Sequence, residues 1–193
     1  MKQSVQEQTI PAGQFFMIDG VGDPNGTTFQ QAVEALYALS YALRFWTKKH
    51  QAPPDWTDFK VQPLEGLWNV PHIHDSSAMS APRDTWHWTA MIKQPDFLTI
   101  ELFDQLKSEV ALKKPGVSTA SVRLEAFTEG TVVEVLHLGP YTSELPSIQK
   151  LDDYISGHSL KAVGRHHEIY LSDPRRTDPA KLRTLLRHPE EKV

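Results

Sequence analysis

Twice in this chain an apolar, strand-like run ends in a glycine–proline turn and passes directly into a helical pattern. That recurrence constrains the fold more than any other feature. Gln14 to Val21 (QFFMIDGV) reads as a strand and stops at Gly20-Val21-Gly22-Asp23-Pro24-Asn25-Gly26, a dense turn signal. Thr28 and Gln31 match a capping box, and Phe29, Val33, Leu36, Tyr37, Ser40 and Leu43 keep the spacing of one buried helix face. This helix is predicted to reach about Trp46 or Lys48, with Pro53-Pro54 forcing an extended turn beyond it. In the second half Thr131 to Leu138 breaks at Gly139-Pro140-Tyr141, and a helix from about Glu144 turns Ile148, Leu151 and Ile155 inward until Gly157 closes it. Each helix is followed by further strands: Thr57 to Trp68, irregular at Pro63 and Gly66, and Thr85 to Lys93 in the first half, and Arg165 to Leu171 in the second. The expected fold is α+β. Two strand–helix–strand–strand repeats, at about 10–114 and 115–193 of one domain spanning 1–193, pack with pseudo-two-fold symmetry around a central ligand cleft.

Three further elements complete this reading. Thr99 or Asp96 caps a helix with Leu102, Leu106 and Val110 on its inner stripe, stopped at Lys113-Lys114-Pro115-Gly116. Val122 to Thr128 and Thr131 to Leu138 are expected to form a hairpin joined at Glu129-Gly130. Asp178-Pro179 is a strong helix start, with Leu182, Leu185 and Leu186 as that helix's stripe.

Composition narrows the function classes. Hydrophobic residues are 39% and charged residues 23% of the chain, enough for a core and a solvated surface, so neither disorder nor a fibre is expected. The absence of cysteine excludes a disulfide scaffold, a thiolate zinc site and a cysteine nucleophile, and fits a cytoplasmic protein. No apolar run is long enough for a membrane span, and the polar start Met1 to Gln8 has no signal-peptide core. A net charge of −4 argues against direct nucleic-acid binding. There is no glycine-rich phosphate loop and no Gly-x-Ser-x-Gly elbow, so no cofactor is expected. His72-Ile73-His74 has no matched third ligand in its spacing and is read without a metal.

The run Arg165-His166-His167-Glu168-Ile169-Tyr170-Leu171 carries the most chemistry. Side chains alternate along a strand, so His166, Glu168 and Tyr170 share one face and His167, Ile169 and Leu171 the other. If helices cover the Ile169 face, Glu168 and Tyr170 look toward the cleft. A carboxylate in mid-strand has either a cation partner, a ligand or a raised pKa for acid–base work, or else sits on a solvated edge. Glu65 stands beside Gly66, a position for a bulge or a close backbone approach. It either joins a second carboxylate at the cleft, suited to activating a water, or pairs with a surface cation. Trp68, Trp86 and Trp88 fall on the expected strands, the last two on one face. They serve either as core or as the wall of a site for an aromatic or cationic ligand. Trp46 and Trp56 are read as packing.

Five blocks carry a resemblance: GDPNGTTFQQAVEALYALSYALRF, FKVQPLEGLW, MIKQPDF, HLGPYTSE and HHEIYLSDPRRTDPAKLRTLLR. In these the chain resembles the GyrI-like small-molecule-binding family in its free-standing form. The match extends from about Gly22 to Arg187. The resemblance implies the SOUL-type effector-binding fold, a drug-like ligand that is planar, aromatic or cationic, and an acidic residue on the late strand in the pocket, here Glu168. Many such domains are fused to DNA-binding regions, whereas this chain resembles those that are not. A subset of free-standing members opens the cyclopropane of DNA-alkylating natural products by adding water. By that analogy Glu168 is the expected general base, Tyr141 and Tyr170 are donors to the developing oxyanion, and Glu65 is the second carboxylate. Trp68, Trp86, Trp88, Tyr170 and, from the first helix, Tyr37 form the substrate-contacting set. Trp86 and Trp88 lie outside the matched blocks, and the loop from His72 to Arg83 looks particular to this chain. The alternative is a non-catalytic binding or sensing module in which Glu168 is a counter-ion. The family name also suggests topoisomerase inhibition. A monomer or homodimer is expected.

Overall fold

A computed structural model describes residues 4–50, 59–71, 73 and 76–193. Its elements run β1 (Gln6–Ile10), β2 (Gly13–Val21), α1 (Thr27–Lys49), β3 (Leu64–Asn69), β4 (His87–Gln94), α2 (Ile100–Lys113), β5 (Arg123–Phe127), β6 (Gly130–Leu138), α3 (Leu145–Gly157), β7 (Leu160–Ala162), β8 (His166–Tyr170) and β9 (Arg183–Lys192). The strands form one antiparallel sheet in the order β1-β6-β9-β8-β3-β4-β2-β5, with β7 added on β9. The order β6-β9-β8 mirrors β2-β4-β3 about the β8–β3 junction, so β2-α1-β3-β4 and β6-α3-β8-β9 occupy equivalent places in an α+β fold.

Each helix lies where its apolar stripe finds the sheet. Leu36, Leu39 and Leu43 of α1 are fully buried with Phe16, Ala90 and Ile92, and α2 adds Phe103, Leu106 and Val110 to the same core. Truncating any one of those leucines to Ala costs about 2–5 kcal/mol. Ile148, Leu151 and Ile155 of α3 pack on Val133, Val135 and Leu186. Thus α1 covers β2 and β4, and α3 covers β6 and β9. The central pair β3 and β8 lies between the two helices, on the same face. Phe15, Met17, Leu67 and Met91 form a separate cluster on the other face.

Four sequence expectations are corrected. The hairpin at Glu129-Gly130 does not form: β5 pairs with β2 and β6 with β1. The pairing Ile10↔Gly130 resumes in the same register at Gly13↔Phe127. Gly130, at φ 78°, therefore kinks one long strand beside another instead of reversing the chain. A turn signal alone does not distinguish a kink from a reversal. The predicted last helix is a single turn at Pro179–Lys181, with the Asp178 side chain accepting from Ala180 N at 3.0 Å, followed by β9. Leu182, Leu185 and Leu186 suit a helix, but Thr184, Leu186, His188 and Glu190 also alternate as buried positions. As a strand the segment satisfies the backbone edges of both β6 and β8. The Thr28 capping box is absent: the helix starts at Thr27 after Gly26, which makes no side-chain cap. Finally, the helices cover the Glu168 face of β8 and not the Ile169 face, because Glu168 pairs opposite Leu186, which lies under α3.

Other expectations hold. Thr99 caps α2 by accepting from Leu102 N at 3.3 Å, and α3 ends at Gly157. The segment before β3 is regular only from Leu64. Pro53-Pro54, Trp56, His72 and His74 lie outside the described residues. No helix among the described residues is long and apolar enough to cross a membrane.

Candidate functional site

The buried strip of β3 and β8 that neither helix covers is built around a glycine. Gly66 sits opposite Glu168. A side chain there would place its first carbon 2.6 Å from Trp68 Nε1, so the indole lies flat across the glycine. This is the close approach that Gly66 allows; the β3–β8 register runs through it without a bulge. From that position Trp68 Nε1 donates to the Tyr170 hydroxyl at 3.2 Å, and Tyr170 donates to Glu168 Oε2 at 2.8 Å. The other oxygen, Oε1, lies 3.5 Å from His166 Nε2. Glu168 is 7% exposed. Tyr141, in the turn before α3, meets Tyr170 edge-on at 5.5 Å between ring centroids.

Glu144 completes the group. It is the residue before α3, is 2% exposed, and its Oε1 has no hydrogen-bond partner among the described residues. Burial first, and the neighbouring Glu168 second, push its carboxyl up to about 9. Two carboxylates in one dry site do not both ionise, so Glu144 holds the proton at neutral pH. Burial, with Glu144 and Glu168 nearby, raises the Tyr141 hydroxyl to about 12. Burial and then Glu168 raise Tyr170 well above its ordinary value. Both phenols are therefore donors. Tyr37 of α1 is half-buried, and burial followed by Tyr41 and Asp173 raises its hydroxyl too. His188 of β9 lies tilted against His166 at 5.0 Å between ring centroids, and burial first and His166 second hold it neutral down to about 3.

Of the two roles expected for the tryptophans the structure shows the first: Trp68, Trp86 and Trp88 are buried in the hydrophobic core on the same face. Trp68 pairs opposite Trp88. Phe29 lies 5.4 Å from Trp68 and 5.0 Å from Trp88 between ring centroids. Trp86 lies 5.9 Å from Trp68, donates from Nε1 to Ala81 O at 3.2 Å, and carries the Arg83 guanidinium over its ring. Trp88 Nε1 is buried without a partner among the described residues.

The structure thus brings Glu168, Tyr141, Tyr170 and Trp68 into contact, with Tyr37 close by and Trp86 and Trp88 behind Trp68. It does not bring Glu65 there. Glu65 is one residue out of phase with Gly66 and projects to the opposite face, where its Oε2 lies 2.9 Å from His167 Nε2. His167 Nδ1 meets Glu129 at 2.8 Å, and Arg187 joins Glu129 to Glu134 at 3.3 and 2.7 Å. The pairing of Glu65 is with a buried cation, not a surface one. The carboxylate that does share the Glu168 site, Glu144, escaped the sequence reading. An acid at a helix start is ordinary, and only its place at the end of the HLGPYTSE block marked it.

The comparisons agree with this architecture. The model of the GyrI-like small molecule binding domain matches residues 97–189. An uncharacterized conserved protein from Listeria innocua is 37% identical, with a TM-score of 0.88 over 98% of this chain and 93% of that one. A hydrolase from Listeria innocua is 35% identical, with a TM-score of 0.85 over the same shares. The C-terminal domain of EcmrR, at 14% identity and a TM-score of 0.61 over the full length of both chains, shares the fold. No curated protein matches the chain. Residues 97–189 carry a GyrI-like small molecule binding domain, and the chain is similar along nearly its whole length to two Listeria innocua proteins.

Proposed function

We propose that this protein is a hydrolase that seats a planar, electrophilic aromatic molecule over β3 and β8 and opens a strained cyclopropane on it by adding water. The observation that carries the reading is the buried pair Glu168 and Glu144, with the Glu144 Oε1 left without a hydrogen-bond partner among the described residues. Glu168 is the base and Glu144 the acid, an assignment that follows from environments that separate two like groups. Trp68 and Tyr170 hold the aromatic body, with Trp86, Trp88 and Tyr37 around them. The Listeria relative named as a hydrolase supports an enzymatic role.

The step balances. Water oxygen bonds to a ring methylene carbon while Glu168 takes a water proton. The ring carbon–carbon bond breaks, and its electron pair passes into the conjugated dienone to give a phenolate. Tyr141 stabilises that oxygen by hydrogen bonding, and Glu144 delivers the proton that makes it a phenol. Net addition is one water, and proton exchange with solvent resets the pair.

The test is incubation with a cyclopropane-bearing indole alkylator, followed by mass. Catalytic gain of one water, lost in Glu168→Gln, is the expected result. Stoichiometric binding without that gain supports the second reading, a sequestering or sensing module for cations. The unpartnered Glu144 oxygen beside Glu168 favours that reading, since the pair would accept a positive charge.

A further inference from the structure

On the face of the sheet turned away from the helices, four neighbouring strands end together. The end of β2 (Asp19, Gly20, Val21), the end of β3 (Asn69), the start of β4 (His87, Trp88) and Arg165 just ahead of β8 line a cavity of about 260 Å³. Trp88, on the edge of this cavity, is shared with the aromatic core beside the Glu168 site, and none of the other lining residues belongs to that site.

Its charges are unevenly matched. Asp19 is fully engaged: Arg123 holds Oδ2 at 2.8 Å and Oδ1 at 3.1 Å, and the Thr89 hydroxyl donates to Oδ1. Arg165 is anchored through Nη1, which donates to Thr89 Oγ1 at 2.7 Å. Thr89 is fully buried, so this anchor fixes the guanidinium at the cavity wall. Among the described residues Arg165 has no carboxylate within 4 Å, unlike Arg123, Arg175 and Arg187. The nitrogens left over, Nε and Nη2, form the edge of the fork that accepts a carboxylate through two parallel hydrogen bonds. Asp19 and Glu125 set negative potential near it and Arg123 positive potential, none of them in direct contact with the guanidinium. Asn69 and His87 line the cavity beside it, and Val21 offers an apolar wall.

We propose that this cavity is a second ligand site, for a small carboxylic acid whose carboxylate pairs with Arg165 and whose carbon skeleton lies along Val21. A planar carboxylate matches the two-nitrogen edge, whereas a tetrahedral oxyanion uses the same charge without the planar match. The proposal is independent of the reaction on the other face.

The experiment is titration of the full chain with benzoate, with acetate and inorganic phosphate in parallel. It is followed by calorimetry and by the arginine Nε–Hε resonances. Saturable one-to-one binding of benzoate is expected, with one Nε–Hε pair shifted and phosphate at least ~10-fold weaker. Arg165→Gln weakens benzoate by ~10-fold or more, and Asn69→Ala weakens it by a smaller factor. If Arg165→Gln does not fold, the shifted resonance in the parent and the Asn69→Ala titration decide. Lack of saturation, equal affinity for phosphate, or full benzoate affinity in Arg165→Gln overturns the assignment.

Discussion

Strands β3 and β8 bury ionisable groups on both faces, and the two faces treat them differently. Away from the helices, Glu65, His167, Glu129, Arg187 and Glu134 form an unbroken chain of opposite charges. His167 is almost fully buried; although burial acts against its proton, Glu129 and then Glu65 raise its pKa and hold the charge. Toward the helices, Glu168 has phenol and imidazole neighbours but no arginine or lysine within 4 Å among the described residues, and Glu144 keeps a bare oxygen. A buried charge with its partners in place joins strands. A buried acid left short of partners is poised for a molecule from outside.

The sharpest way to break this comparison is to remove one carboxylate from each face and follow turnover of the cyclopropane substrate. Glu168→Gln is expected to lose ~10²–10⁴-fold in rate. Glu65→Gln, on the other face, should turn over at close to the parental rate per folded molecule. Equal losses in the two variants would end the division between faces.

Stability is expected to respond the other way round. His167→Leu leaves Glu65 buried without its cation and Glu129 with Arg187 alone, and costs about 3–5 kcal/mol, read as a shift in denaturant midpoint at unchanged slope. Glu168→Gln removes a buried carboxylate that has no arginine or lysine within 4 Å among the described residues and should not lower the midpoint. A smaller effect probes the floor of the site. Gly66→Ala drives a methyl into the Trp68 indole, costing about 1–3 kcal/mol and separating Trp68 from Tyr170. Binding of a planar aromatic ligand should weaken with it, while Leu67→Met, on the opposite face, should leave binding alone.

The gentlest probe is pH. The folded Glu144 carboxyl, at about 9, lies above its unfolded value of 4.5. Its contribution is therefore complete below 4.5 and is lost as pH rises toward 9, with a slope of at most about 1.4 kcal/mol per pH unit. Glu144→Gln should flatten the melting temperature between about pH 5 and pH 9. His188 has the opposite sign. Its folded value of about 3 lies below 6.5, so its contribution is present above 6.5 and is lost on acidification. His188→Leu should flatten only the acid limb. A parental profile already flat on the alkaline side would contradict a proton on Glu144.

Much of this was legible in the residues. The QFFMIDGV strand, the α1 and α3 stripes and the Thr99 cap follow from local periodicity and capping chemistry, which the fold leaves in force. The HEIY alternation placed Glu168 and Tyr170 on one face, and the PLEGLW glycine announced the close approach of Trp68. The reading failed where a local signal has two outcomes. Glu129-Gly130 is a reversal or a kink according to which strands are free to pair, and Leu182 to Leu186 is a helix or a strand according to whether β6 and β8 need a neighbour.

The sequence by itself determined the α+β class, the repeated order of strand, helix and strands, and the acid and aromatic residues available for a site, because these depend on neighbours a few positions apart. Only the tertiary structure decided which face the helices cover, that Glu144 rather than Glu65 joins Glu168, and that Arg165 lines a cavity with no carboxylate within 4 Å among the described residues. Those outcomes depend on pairings between residues far apart in the chain, where the shared free energy of burial and charge neutralisation selects the partner and no local pattern records it.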